Sequence, residues 1–99
     1  MDNIGTNLDA SRRIGVLPLP GFAMMSFAAL TEPMRAANLL ARRQLYKIIT
    51  IGSDMRPIPS SGPGMVMPEI EVGESDALDY LFVVAGGDPT LYNDRSVLN

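Results

Sequence analysis

The stretch Ile14-Gly-Val-Leu-Pro-Leu-Pro-Gly-Phe22 decides the fold class of this chain. Its first six residues form an apolar run without strict alternation, which is typical of a strand covered on both faces, as in a parallel sheet. Pro20 and Gly21 then end the strand, and a helical pattern begins at Met24. A buried strand that leads directly into a helix predicts an α/β domain with a pocket at the strand's carboxyl end.

The predicted helix covers residues 24–43. Its apolar side chains recur at helical spacing along one face, and alanines raise the helix propensity. Pro33 lies inside this pattern, where it removes a backbone hydrogen bond at a cost of about 3 kcal/mol. We therefore expect a kink or a restart at Pro33, with Thr31 as a possible cap.

Two further apolar runs extend the sheet. Residues 46–51, ended by Gly52, predict a second strand, so the order strand–helix–strand predicts a right-handed βαβ unit. Residues 80–85 form a continuous apolar run before two glycines and predict a central strand.

The chain between these strands carries a different pattern. Residues 57–59 and 65–67 flank a turn rich in serine, glycine and proline, which predicts a small β-ribbon. The spacing of the acidic residues in 69–79 does not match a calcium-binding loop, so we interpret them as a solvated surface. A helical turn capped near Ser75 is also expected in this segment.

Composition limits the chemistry. The chain has 99 residues, a net charge of −3, no cysteine and no histidine. Thiolate nucleophiles, disulfides and imidazole ligands are thus excluded within these residues. An acidic segment is also poorly suited to a phosphate backbone, so we expect any DNA contact to come from another domain. We predict no metal and no cofactor.

The domain organisation follows from length. Residues 1–12 are predicted to be a loose leader, and residues 13–99 to be part of a larger domain, because three parallel strands and one helix cannot cover both faces of the sheet. The first residues lack a basic stretch followed by an apolar core, and no apolar window reaches the roughly 20 residues of a membrane span. We predict a cytoplasmic protein without membrane contact.

Five motifs occur in a fixed order: Gly21-Phe22, Glu32-Pro-Met-Arg-Ala-Ala-Asn38, Tyr46, Ser60-Ser61-Gly62 and Val83-Val84-Ala85-Gly86-Gly87. This set resembles the amino-terminal, glutamine-amidotransferase-like (ThiJ/PfpI-type) domain of AraC-family transcriptional regulators. The resemblance implies part of a doubly wound, flavodoxin-like parallel sheet of the class I glutamine amidotransferase type. It also implies a homodimer that senses a small-molecule effector, an amino acid or a quaternary amine, and binds DNA through a carboxyl-terminal helix-turn-helix domain.

The candidate ligand-binding residues lie at the carboxyl edge of the predicted sheet, where open α/β sheets bind ligands. They are Gly21, Phe22, Ser26, Gly86, Gly87 and Asp88. Glu32 and Arg35 are three residues apart, so we interpret them as a structural ion pair on the helix.

The resemblance also bears on catalysis. Enzymes of this superfamily place a glutamate early in the first helix to hold a cysteine, and the matching position here is Ser26. A neutral hydroxyl cannot tune a thiolate as a carboxylate does, which favours sensing without catalysis. The alternative remains a ThiJ/PfpI-type hydrolase, amidase or hydratase whose cysteine nucleophile lies beyond residue 99.

Overall fold

A computed structural model describes residues 11–74 and 77–87. Its elements are β1 (Arg12–Pro18), α1 (Met24–Ala41), β2 (Tyr46–Gly52), β3 (Ile58–Pro59), β4 (Met65–Val66), β5 (Ile70–Glu71) and β6 (Tyr80–Val84). Four strands form a parallel sheet in the order β5-β2-β1-β6, and β3 pairs with β4 as an antiparallel ribbon. This α/β arrangement with a parallel sheet and a small ribbon confirms the predicted fold class.

The core lies between β1 and α1. Ile14 and Val16 are buried on one face of β1, and Val84 of β6 joins them. Phe27, Leu30 and Met34 of α1 pack against this cluster, as their helical spacing predicts. We call this side of the sheet the helix face and the opposite side the distal face.

Helix α1 continues through Pro33, so of the two expected outcomes the restart is wrong and the kink stays a prediction. Both Pro33 and Ala29, whose carbonyl loses its helical partner, are exposed, and water can therefore bond that carbonyl. Thr31 does not cap a new helix, because its hydroxyl donates to the Phe27 carbonyl at 3.0 Å within α1. Among the described residues, no helix is long and apolar enough to cross a membrane.

Two findings about the strands bear on the sequence-based expectations. Among the described residues β1 lies inside the sheet and β6 at one end of it, so the central position expected for β6 stays a prediction. Four of the five residues of β6 are exposed, although its continuous apolar run predicts burial of both faces. Strand β5 lies in the acidic tract and was missed, because two residues are too short to show a periodicity; Ser75 lies outside the described residues.

Asn38 joins the end of α1 to the start of β2. Its side-chain amide donates to the Tyr46 carbonyl at 2.9 Å, and its side-chain oxygen accepts from the backbone N–H groups of Leu45 and Tyr46 at 2.7 and 2.9 Å. Buried backbone groups need such partners. The side chain therefore fixes the short connection that positions β2 beside β1.

Replacing this side chain should loosen that connection. We expect Asn38→Ala to lower the free energy of unfolding by about 1–3 kcal/mol, since the substitution leaves three half-buried backbone groups without partners. Urea denaturation followed by circular dichroism would measure the loss. Gln44→Ala, at an exposed position of the same connection, is the control and should change stability little; equal effects would contradict the role of Asn38.

Candidate functional site

The strand order reverses at β1. Strands β2 and β5 lie on one side of β1 and β6 lies on the other. In parallel α/β sheets, ligands bind outside the carboxyl ends of the strands at such a point. The carboxyl ends of β1 and β6 are held together there, because the Leu19 N–H donates to the Val84 carbonyl at 2.9 Å and the Ala23 N–H to the Ala85 carbonyl at 3.2 Å. We call this region the β1/β6 crevice.

The exit of β1 is a tight turn. Gly21 has φ 85°, a left-handed conformation that glycine adopts without strain. Its N–H donates to the Pro59 carbonyl at 2.8 Å, and the Phe22 N–H donates to the Leu19 carbonyl at 2.9 Å. These bonds direct the chain from β1 into α1.

Phe22 is part of the core. Its ring is 0% exposed and lies 5.7 Å from the ring of Phe27, measured between centroids. Its carbonyl accepts from the Ser61 N–H at 2.8 Å. The ring of Phe22 therefore supports the crevice from beneath, and a ligand-binding role for Phe22 stays a prediction.

The turn between β3 and β4 lies beside the start of α1. The Ser60 hydroxyl donates to the Gly64 carbonyl at 2.6 Å and accepts from the Gly62 N–H at 3.2 Å. A side chain at Gly64 would meet the Met24 terminal methyl at 3.0 Å. Ser60 is thus occupied in closing the turn, and the turn is packed against α1.

The amino terminus of α1 faces this edge without a side-chain cap. Ala23 occupies the cap position, and the first turn contains no acidic residue. The N–H groups of the first turn have no partner within a helix, and they carry the positive end of the helix dipole. Ser26 is exposed on this turn, so its hydroxyl lies at the positive end of α1.

Two glycines follow the carboxyl end of β6. Gly86 is half-buried and Gly87 is exposed. A side chain at Gly87 would meet no heavy atom within 4 Å, and Gly87 is not among the residues with positive φ. Packing among the described residues therefore leaves open space above Gly87. Asp88, the remaining predicted site residue, lies outside the described residues.

A second polar group lies at the carboxyl end of β2 and was missed by the sequence reasoning. Pro20, Asp54, Arg56 and Pro59 line a cavity of about 260 Å³. The Arg56 guanidinium bonds the Asp54 carboxylate at 2.6 Å, and this hydrogen bond lowers the pKa of Asp54 and raises the pKa of Arg56. Two charges separated by one residue in a loop carry no signal that could have identified this group.

Glu32 and Arg35 form an exposed ion pair on α1, with 2.6 Å between the closest nitrogen and oxygen. The hydrogen bond from Arg35 lowers the pKa of Glu32. The pair lies beyond the first turn of the helix and therefore apart from its amino terminus. No group of three acidic side chains suited to a metal occurs in residues 11–74 and 77–87.

Comparisons with known proteins agree with this fold. No family model matches the chain. The chain is 43% identical over 86 residues to the HTH-type transcriptional regulator GlxA of Rhizobium meliloti (strain 1021), covering 86% of this chain and 26% of that protein. It is 34% identical over 73 residues to the HTH-type transcriptional regulator GbdR of Pseudomonas aeruginosa (strain UCBPP-PA14), covering 74% of this chain and 20% of that protein.

These homologues are transcriptional regulators. A crystal structure of an AraC family transcriptional regulator from Pseudomonas putida has the same fold, with a TM-score of 0.69 at 24% identity over 77% of this chain and 48% of that one. The resemblance to AraC-type regulators that the motifs indicate is thereby confirmed. The chain spans about a quarter of the length of GlxA and a fifth of the length of GbdR.

The turn at Gly21 provides a test of the crevice's construction. Gly21→Ala should lower the free energy of unfolding by about 1–2 kcal/mol, because a left-handed conformation strains any residue with a Cβ. Gly87→Ala is the matched control, and we expect a change within about 0.5 kcal/mol, because the new methyl group meets open space. Thermal and urea denaturation would measure both. Equal losses of stability in the two variants would contradict the special requirement for glycine at position 21.

The Glu32–Arg35 pair gives a pH prediction. A carboxyl whose pKa is lowered on folding stabilises the protein above its unfolded pKa, and this stabilisation disappears as the pH falls through the folded pKa. Arg35→Ala should therefore raise the pKa of Glu32 towards its ordinary value of 4.5 and flatten the acid limb of the stability curve. Carboxyl titration by NMR would measure the shift; an unchanged Glu32 midpoint would contradict the pairing in solution.

Proposed function

We propose that this chain is part of the ligand-sensing domain of an AraC-type transcriptional regulator, of the glutamine-amidotransferase-like (ThiJ/PfpI-type) kind. The ligand site is the β1/β6 crevice. The observation that supports this most directly is the hydrogen bond between the Ala23 N–H and the Ala85 carbonyl. It brings the uncapped amino terminus of α1 next to the glycines that follow β6.

The ligand is proposed to be a small polar metabolite that carries a carboxylate, as amino acids and carboxylated quaternary amines do. The first turn of α1 has free backbone donors and no acidic side chain, so it favours a negative group. The Ser26 hydroxyl adds a neutral donor and acceptor on the same turn. The open space above Gly87 leaves room for the rest of the ligand.

Sensing is favoured over catalysis at this site. Ser26 stands where the enzymes of the superfamily resembled here place a glutamate. A hydroxyl at that position can bond a ligand but cannot hold or tune a thiolate as a carboxylate does. The curated relatives are regulators, in agreement with a site that binds without transforming.

The regulatory output is proposed to pass to a DNA-binding domain elsewhere in the protein. The chain has a net charge of −3, which disfavours direct phosphate contact. A ligand that prefers one of two conformations shifts the population towards it, and this shift would change how the DNA-binding domain is presented. The homodimer expected from the family resemblance stays a prediction.

Ligand binding can be tested by thermal shift. The natural protein would be screened against amino acids, betaine and carnitine, and each hit would be compared with its amide or ester. A ligand present at about a hundred times its Kd stabilises the folded form by about 2.7 kcal/mol. We expect the carboxylate form to raise the Tm and the neutral derivative to raise it much less. Equal shifts from both forms would contradict carboxylate recognition.

The substitution Ser26→Asp distinguishes an effect on ligand binding from an effect on folding. A carboxylate in the first turn should stabilise α1 by about 0.3–1 kcal/mol through the helix dipole, while it repels a ligand carboxylate from the same place. The variant should therefore keep or raise its own Tm and lose the ligand-induced shift. Gln44→Asp, at an exposed position on the connection between α1 and β2, is the control that should keep the shift. A full ligand response in Ser26→Asp would rule out this site.

A further inference from the structure

Most of the positive charge of the chain lies at the amino edge of the sheet. The chain has 8 lysine and arginine residues. Five of them stand where β1 and β2 begin and where α1 ends: Arg12, Arg13, Arg42, Arg43 and Lys47. We call this group the basic edge. It lies at the opposite end of the sheet from the β1/β6 crevice, which is formed by the carboxyl ends of the strands.

Backbone contacts bring the basic edge together from separate stretches of the sequence. The Arg12 N–H donates to the Leu45 carbonyl at 2.9 Å, and Leu45 ends the short connection that carries residues 42 and 43. The parallel register of β1 and β2 places Arg13 beside Lys47. The cluster is therefore a product of the fold and does not appear as a single charge run in the sequence.

Three of these cations have no carboxylate partner among the described residues. Arg42, Arg43 and Lys47 are exposed, and the ion pairs in this part of the chain involve other arginines. Arg12 differs, because its guanidinium lies 4.0 Å from the Asp79 carboxylate. The three unpaired cations are therefore the part of the basic edge that can bind an external anion.

Arg42 is held in an unusual backbone conformation. It ends α1 with φ 55° and ψ 34°, and among the described residues it is the non-glycine residue with a positive φ. Glycine is the usual residue at such a helix end, because a Cβ is strained there. The helix dipole favours a positive charge at this end, but the neighbouring Arg43 supplies one without that strain. Local structure thus disfavours arginine at position 42, which points to a role for its exposed guanidinium.

The chemistry of this edge fits a phosphate backbone. Guanidinium groups bind phosphate oxygens through paired hydrogen bonds. Salt at 0.1 M screens charges beyond about 10 Å, so a phosphate at this edge responds to the nearby cations more than to the net charge of −3. Residues 33–53 contain no acidic residue, and the acidic segment 69–74 is paired with the carboxyl end of β2. The net charge disfavours DNA contact by the chain as a whole, but it leaves this edge available.

We propose that the basic edge makes an auxiliary contact with the phosphate backbone of DNA through Arg42, Arg43 and Lys47, beside the duplex segment held by the DNA-binding domain. Contacts to phosphate add affinity and fix position without reading the base sequence. This inference rests on the proposed DNA-binding output and does not depend on the proposed ligand. Among polyanions, DNA is the one that this output brings to the protein.

The salt dependence of DNA binding tests the contact. The natural protein would be titrated with a labelled duplex of mixed sequence between about 50 and 200 mM salt, and each phosphate contact contributes about 0.9 to the slope of log K against log salt. We expect Arg43→Gln and Lys47→Gln each to flatten the slope by about 1 and to weaken binding at 0.1 M salt by up to roughly eightfold. Arg35→Gln is the matched control: it removes the same charge from an exposed residue of α1 that is paired with Glu32, and it should keep the slope.

The outcomes distinguish this inference from the proposed function. If the unmodified protein does not bind the duplex at low salt, the DNA-binding output itself is wrong. If the unmodified protein binds and both Arg43→Gln and Lys47→Gln keep the full slope, the basic edge does not contact phosphate and this inference alone is refuted, which leaves an acidic protein surface as the partner to be tested. Equal flattening by Arg35→Gln would indicate a general effect of net charge and would also refute the contact.

The substitution Arg42→Gly distinguishes DNA contact from folding at a single position. Glycine relieves the left-handed conformation, so the Tm of the natural protein should stay the same or rise. Loss of the guanidinium should nevertheless flatten the salt slope by about 1, whereas Arg42→Lys keeps the charge and should keep the slope. A lower Tm in Arg42→Gly, or an unchanged slope, would contradict the assignment of Arg42 to DNA contact.

Discussion

The pairing of β1 with a parallel strand on each side is the constraint on which the rest of this structure depends. Strand β2 lies on one edge of β1 and β6 on the other. This arrangement buries Ile14 and Val16 beneath α1. It also brings the two strand exits together at one end of the sheet. Without β6 beside β1, the Leu19 and Ala23 N–H groups would lose the carbonyls of Val84 and Ala85, and there would be no crevice between the two strand exits.

The crevice is built mainly from backbone groups. The turn at Gly21, the bonds from Leu19 and Ala23 to the end of β6, and the ribbon bonded to Phe22 are all main-chain contacts. Such a site offers fixed dipoles and few reactive side chains. Fixed dipoles recognise charge and shape, whereas catalysis needs in addition a positioned nucleophile or a proton-transfer group. Among the described residues, this construction supports the proposed binding of a metabolite at the crevice.

The two faces of the sheet differ in how they are covered. On the helix face, α1 continues through the exposed Pro33 and packs against β1, whereas Tyr80 and Phe82 of β6 on the same face are exposed. On the distal face Ile49 and Ile51 of β2 are buried, whereas Leu81 and Val83 of β6 are more than half exposed. Because β6 contributes both to the crevice, through Ala85, and to the distal face, through Leu81 and Val83, the two surfaces share one strand.

Local sequence patterns were sufficient to predict several elements of this structure. The apolar run that ends in Pro20 and Gly21 determined the first strand and its exit, and helical spacing determined the buried face of α1. The ion pair between Glu32 and Arg35 was also predictable from the sequence, because side chains three residues apart on a helix are neighbours in any tertiary structure.

Only the tertiary structure decided the strand order, the existence of β5 and the placing of Phe22 in the core. Each depends on hydrogen bonds or packing between residues distant in sequence, and no local periodicity records them. The same holds for the site. The sequence by itself located a turn and a glycine pair at two strand ends. The sheet brought the two ends together at β1 and β6 and placed Gly21 in the turn and Phe22 in the core, because these contacts join segments that are distant in sequence; the ligand-binding roles of Ser26 and Gly87 stay predictions.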